Sequence, residues 1–143
     1  MKLITCEATG DWAALIRPRL PRKVAIVETR AVDEILDRVA EAPLSAVVVE
    51  WSANHAERLL IEIARIDRKQ PMAKVIVLSH RDRSCDLAAC REAGAVHVVT
   101  SRRRINEVID IIQHLLHSRD WPDDTDTEQD LEAETIARLA WRQ

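Results

Sequence analysis

The sequence predicts an α/β fold with three layers: a five-stranded parallel sheet with helices on both faces. The stretch 45–51 carries four consecutive small or β-branched apolar residues without alternation, which is typical of a central strand buried on both faces. Short apolar runs alternate five times with helical patterns, which indicates right-handed βαβ crossovers. The connections are short, as in one compact domain.

Each element has its own signal. Strands are predicted at residues 2–6, 24–27, 46–50, 75–78 and 96–99, and helices at 11–20, 32–40, 54–70, 84–93 and 105–116. Pro18 interrupts the first helical pattern because proline lacks a backbone N–H. Asn54 and Glu57 have the spacing of a capping box at the start of the third helix. Gly94 stands where the fourth helix needs a left-handed cap.

The chain divides into an α/β domain at 1–118 and an acidic linker with a short amphipathic helix at 119–143. Residues 120–134 carry eight acids and no base, whereas residues 1–119 carry 16 acids and 19 bases. Such a mildly basic body does not imply binding to nucleic acid. The acidic run is typical of a solvated linker, and the short helix after it needs a surface to pack on.

Other features narrow the class of protein. No apolar run approaches the roughly 20 residues of a membrane helix, so we expect no membrane partner. The amino-terminal segment lacks the pattern of a signal peptide. The three cysteines, Cys6, Cys85 and Cys90, lack the spacing of a zinc site. These observations predict a cytoplasmic protein with reduced thiols and no bound metal.

The order of the elements, with Glu92-Ala93-Gly94-Ala95 before the last strand, resembles the receiver domain of bacterial response regulators. The resemblance covers residues 1–118 and implies a flavodoxin/receiver-like sheet in the order 2-1-3-4-5 and a role in two-component signal transduction. The acidic pair that binds Mg²⁺ in this family falls on Cys6 and Glu7, so one acid is missing. The family's phosphoacceptor aspartate falls on Glu50, and Ser79 fits the hydroxyl position after the fourth strand.

The last strand departs further from the family pattern. The position of the family's aromatic residue holds Val98, that of its lysine holds Ser101, and Arg102 replaces the proline that follows. A thiol is a poor ligand for Mg²⁺. The extra methylene of Glu50 moves its carboxylate by about 1 Å, which can cost roughly 10²-fold in rate. The sequence therefore predicts a pseudo-receiver that is not an enzyme, holds no cofactor and acts by binding proteins.

Two charged features leave alternatives open. Glu50 either holds permanently the conformation that phosphorylation imposes in the family, or is a partly solvated acid at the end of a strand. The arginines at 102–104 oppose the macrodipole of the last helix. They either pair with Glu50 or Glu7, receive the acidic tail, or form a solvated run.

The last helix carries more apolar residues than one face needs, since Ile111 and Leu115 broaden its stripe. This predicts an interaction surface, with a homodimer through the last helix or the tail helix packed there in cis as alternatives. Trp51 and Trp141 are further candidate anchors for a protein partner.

Two other functions stay open. One is a degenerate response regulator that is still phosphorylated in a phosphorelay. The other is a small flavodoxin-like ligand-binding protein, for which the Thr9-Gly10 turn after the first strand is the evidence.

Overall fold

The five predicted strands form one parallel sheet in the order β2-β1-β3-β4-β5, which confirms the predicted fold class and strand order. The computed structural model describes residues 2–79 and 86–117, with only the backbone of residues 116 and 117. The strands are β1 (Lys2–Cys6), β2 (Ala25–Thr29), β3 (Ala46–Glu50), β4 (Lys74–Leu78) and β5 (His97–Val99).

Four of the five helices are shorter than the helical patterns of the sequence, whereas the last spans its pattern and one residue more. They are α1 (Asp11–Ile16), α2 (Ile35–Glu41), α3 (Ala56–Lys69), α4 (Leu87–Ala93) and α5 (Ile105–His117). Turns of 3-10 helix lie next to the first three helices at Arg17–Arg19, Val32–Glu34 and Ala53–His55, and a fourth, Arg102–Arg104, precedes α5. The first of these turns contains Pro18, which cannot donate the backbone hydrogen bond that would continue α1.

The sheet separates two apolar cores. Helices α1 and α5 cover one face, where Leu3 and Val48 of the sheet pack with Trp12 and Ile112. Helices α2, α3 and α4 cover the other face, where the core includes Ile4, Val49, Ile63 and Cys90. The apolar residues of β3 are at most 2% exposed, so this strand is buried on both faces as its continuous apolar run predicts.

Two helix starts differ from the predictions. The capping box at Asn54 and Glu57 is wrong: Asn54 lies inside a 3-10 turn, α3 begins at Ala56, and no side chain caps it. Helix α4 begins at Leu87, where the Asp86 carboxylate accepts a hydrogen bond from the backbone N–H of Ala89. The predicted linker and helix at 119–143 lie outside the described residues. Within the described ranges, no helix is long and apolar enough to cross a membrane.

Two glycines with positive φ provide a test of the packing. A Cβ added to Gly94 (φ +121°) would lie 2.7 Å from Cβ of Asp67 on α3, whereas one added to Gly10 (φ +85°) would meet the mobile end of Arg30 at 3.1 Å. We expect Gly94→Ala to lower the free energy of unfolding by roughly 2–4 kcal/mol, from backbone strain and overlap together. Gly10→Ala should cost about 1 kcal/mol, from the positive φ alone.

Urea unfolding of both variants beside the wild type measures these costs. Equal costs at the two positions would show that the contact with Asp67 is not what requires glycine at residue 94.

Candidate functional site

The candidate site lies at the carboxyl edge of the sheet, where the predicted site residues come together. Strands β1 and β3 pair in register with Cys6 beside Val49, so that Glu7 and Glu50 follow at neighbouring strand ends. Ser79 follows β4, and its backbone N–H donates to the carbonyl of Val99 at 2.7 Å. This is the edge at which parallel α/β sheets bind ligands.

Glu7 is buried and caps helix α1. Its Oε1 accepts hydrogen bonds from the backbone N–H groups of Trp12 at 3.1 Å and of Ala13 at 3.5 Å. Burial raises the pKa of Glu7; the two hydrogen bonds oppose that shift, and the nearby charge of Glu50 adds to it. The Glu7 carboxylate is therefore hydrogen-bonded to the backbone at the start of α1.

Cys6 stands at the other position of the family's acidic pair. Its side chain faces the opposite side of the sheet, in the core beneath α2 and α3. Burial, followed by the charges of Glu50 and Glu7, raises the pKa of its thiol to about 11. The thiol is therefore protonated at neutral pH. Mg²⁺ requires several charged or polar oxygen ligands, and a neutral buried thiol beside a carboxylate that caps a helix does not fit that requirement.

Arg30 is a residue of this edge that sequence reasoning missed. It follows β2 directly, and its Nη1 donates to the backbone carbonyl of Glu7 at 3.0 Å. Its charge lowers the pKa of both Cys6 and Glu7, against the larger effect of burial. The available signal was a cation three residues after the end of the predicted second strand.

The side chain of Arg30 also lies over the β1–α1 loop. Its Nη2 and the Oε1 of Glu28 are within 3.1 Å and 3.4 Å of the place a Cβ of Gly10 would occupy. This is the Thr9-Gly10 turn on which the flavodoxin-like alternative depends. A guanidinium and a carboxylate already fill the space beside it.

Ser101 and Arg102 support local structure after β5. The Ser101 hydroxyl accepts a hydrogen bond from the backbone N–H of Arg103 at 3.2 Å, and so caps the turn that leads into α5. Arg102 forms an ion pair with Asp11 at 3.0 Å, and its guanidinium carbon lies 6.0 Å from the centre of the Trp12 ring. The last turn before α5 is thereby tied to the first turn of α1.

The arginine run after β5 has acidic partners other than those expected from the sequence. Besides the pair of Arg102 with Asp11, Arg104 pairs with Glu107 on α5 at 2.7 Å. Glu107 also contacts His97 of β5, at 2.8 Å. Neither acid is Glu50 or Glu7. These local pairs offset part of the unfavourable interaction between the cations and the helix macrodipole.

The residues predicted to contact a protein partner differ in their exposure. Ile111 and Leu115 of α5 are partly buried and pack against the core under α1 and α5, with the rest of each side chain exposed. Trp51 is only 6% exposed and belongs to the core beneath α2 and α3, so its interpretation as a partner anchor is wrong. Trp141 lies outside the described residues. Within those residues, no three acidic, cysteine or histidine side chains are grouped as metal ligands.

Glu7 should make stability depend on pH in a defined direction. Because its pKa is raised in the folded protein, the folded state binds the proton more tightly than the unfolded chain does. The stability that this group contributes therefore falls as pH rises from its ordinary value of 4.5 through the raised folded value. Glu7→Gln keeps an oxygen to cap α1 but cannot ionise. We expect the free energy of unfolding of Glu7→Gln, minus that of the wild type, to increase with pH across that window and to stay constant below it.

Urea unfolding at a series of pH values measures this difference. Glu7→Ala is the control, because losing the cap should cost about 1 kcal/mol even at low pH. A difference between Glu7→Gln and wild type that stays constant with pH would contradict the assignment.

Comparison with known proteins identifies the fold. No protein-family model matches the chain, and no curated protein matches it. Among solved structures, a response regulator from Thermotoga maritima is 18% identical, with a TM-score of 0.68 over 82% of this chain and 98% of that chain. A CheY-like protein (tadZ) from Pseudomonas aeruginosa PAO1 is 14% identical, with a TM-score of 0.67 over 80% and 98%.

A third similar structure is the RcsB response regulator of Salmonella typhimurium, 14% identical with a TM-score of 0.63 over 90% of this chain and 68% of that chain. The five-stranded parallel sheet of this chain, in the order β2-β1-β3-β4-β5, matches the CheY-like fold. The chain therefore has the fold of CheY-like response-regulator receiver domains.

Proposed function

We propose that this protein is a receiver-like signalling module that acts by binding another protein and does not catalyse its own phosphorylation. The observation that carries the proposal is the hydrogen bonding of Glu7. Its Oε1 accepts from two backbone N–H groups of α1, while the thiol of Cys6 faces the opposite core. A phosphorylating receiver needs oxygen ligands at these two positions to hold Mg²⁺.

The cations of the carboxyl edge support the same proposal. Phosphoryl transfer depends on positive groups that neutralise the transferred oxygens. Ser101 stands at the position of the family's lysine and caps a helical turn. Arg102 pairs with Asp11, and Arg30 donates to the carbonyl of Glu7. The two guanidinium groups stabilise the loops of this edge.

Glu50 is the negative group at the position of the family's phosphoacceptor. It is partly exposed, and its charge raises the pKa of both Cys6 and Glu7, so it lies within electrostatic range of the two residues that occupy the acidic-pair positions. We propose that Glu50 supplies a constant negative charge where the family gains one by phosphorylation. The module then presents one state to its partner. The buried, reduced thiols of Cys6 and Cys90 are compatible with a cytoplasmic setting.

Phosphorylation by a small donor tests the proposal. The full chain is incubated with acetyl phosphate and Mg²⁺, and its intact mass is measured. We expect no phosphorylated mass, because two rate factors of roughly 10² each, from the longer acid and the missing lysine, are lost together.

A variant with Cys6→Asp, Glu50→Asp and Ser101→Lys restores the family's residues and serves as the positive control. A phosphorylated mass in this variant and not in the wild type would support the proposal. A wild-type chain phosphorylated at Glu50 or Ser79 would refute it and favour the degenerate phosphorelay protein. Circular dichroism establishes that the variant is folded.

We also propose that α5 forms the partner surface, with a second copy of the chain as the partner. Ile111 and Leu115 leave part of their apolar surface uncovered although they pack on the core. Leu115→Gln should convert a dimer to a monomer in multi-angle light scattering. The matched control is Ile61→Gln, since Ile61 is 47% exposed on α3, on the opposite face of the sheet.

Loss of the dimer in both variants, or in neither, would contradict the assignment of the dimer contact to α5. A monomeric wild type would leave the surface to a different protein and would refute the homodimer.

A further inference from the structure

The amino edge of the sheet, opposite the candidate site, is basic. All four lysines of the chain lie there: Lys2 begins β1, Lys23 precedes β2, Lys69 ends α3 and Lys74 begins β4. The loop between α1 and β2 adds Arg22, whereas the Arg17 and Arg19 side chains of this loop reach Glu28 near the end of β2 and Asn106 at the start of α5. Parallel strands bring these starts and helix ends to one edge, so the positive charges share a surface.

Two cations of the α1–β2 loop are available for an external partner. Arg22 and Lys23 are exposed, and no ion pair joins either of them to another residue in the described part of the chain. Arg17 differs, because it pairs with Glu28 at 3.4 Å. Arg19 also differs, because its guanidinium donates to Asn106. The free positive charge of this loop is therefore concentrated at residues 22 and 23.

Helix α5 ends toward the same edge of the sheet, and the acidic segment follows this helix in the sequence. It begins after the carboxyl end of β5 and runs back, ending at His117. Near its end, the Gln113 amide donates to the backbone carbonyl of Arg19 at 3.4 Å, which links the last turns of α5 to the α1–β2 loop. The first acid of the tail, Asp120, follows three residues later, at most about 10 Å along the chain.

We infer that the acidic segment 120–134 docks in cis on the basic amino edge, with Arg22 and Lys23 at the centre of its binding surface. The segment carries eight acids and no base, which complements exposed cations that lack partners within the described domain. This docking does not depend on whether the domain accepts a phosphoryl group.

The arginine run 102–104 is the competing surface, and two observations disfavour it. Arg102 and Arg104 already pair with Asp11 and Glu107. The run also precedes the first residue of α5, whereas the tail leaves from the last, about 20 Å away along a helix of this length.

Zero-length cross-linking with a carbodiimide tests the docking in the full chain, because it joins a carboxylate to a lysine only when the two are in contact. We expect cross-linked peptides that join segment 120–134 to Lys23 at low salt, and their loss at high salt, because exposed charges are screened. A mixture of ¹⁴N-labelled and ¹⁵N-labelled chains separates links within one chain from links between chains.

Two charge reversals provide the matched comparison. Arg22→Glu keeps the Lys23 amine and should lower the yield of this cross-link by roughly fivefold, since an attractive charge becomes a repulsive one. Arg103→Glu reverses an exposed cation on the opposite edge and should leave the yield unchanged. Links that are absent, insensitive to salt, formed between chains, or reduced only by Arg103→Glu would each overturn the inference.

Discussion

The burial of β3 on both faces is the constraint on which the rest of the structure depends. A strand whose apolar residues are at most 2% exposed needs a helical layer on each side and a strand on each edge. Parallel neighbours then require crossover helices, and the crossovers place every strand end at one edge and every strand start at the other. The candidate site and the basic edge are both consequences of that arrangement.

The carboxyl edge concentrates acidic groups, and the structure stabilises them with groups of its own. The Glu7 carboxylate accepts hydrogen bonds from two backbone N–H groups at the start of α1, where the helix dipole favours negative charge. Arg30 donates to the backbone of the same residue, and Arg102 binds Asp11 across the edge. In a phosphorylating receiver, a metal ion and a lysine balance such acids. Here arginines and a helix start hold the loops in place, which fits a module whose function is to be recognised.

The two edges of the sheet carry different charges. At the carboxyl edge, acids stand beside arginines that pair with them or with the backbone, whereas the amino edge carries lysines at strand starts and at a helix end. Helix α5 ends toward the edge that carries the lysines, and the docking that we infer would bring the acidic segment to the exposed cations there. The sequence has a basic body followed by an acidic tail. Because the strands are parallel, the last helix of the body ends at the edge that carries the lysines.

Uninterrupted apolar runs and helical periodicity predicted the parallel sheet and the positions of all five strands to within two residues, because both patterns are local consequences of burial. The strand order came from the resemblance to receiver domains, and chain order was enough to assign Glu7, Glu50, Ser79 and Ser101 to strand ends. The side-chain partners emerged only from the folded structure: Glu7 caps α1, Arg30 crosses from β2 to β1, and Arg102 reaches Asp11. The burial of Trp51 was equally hidden. These contacts join residues far apart in the chain or depend on the turn a loop takes, and no periodicity records either.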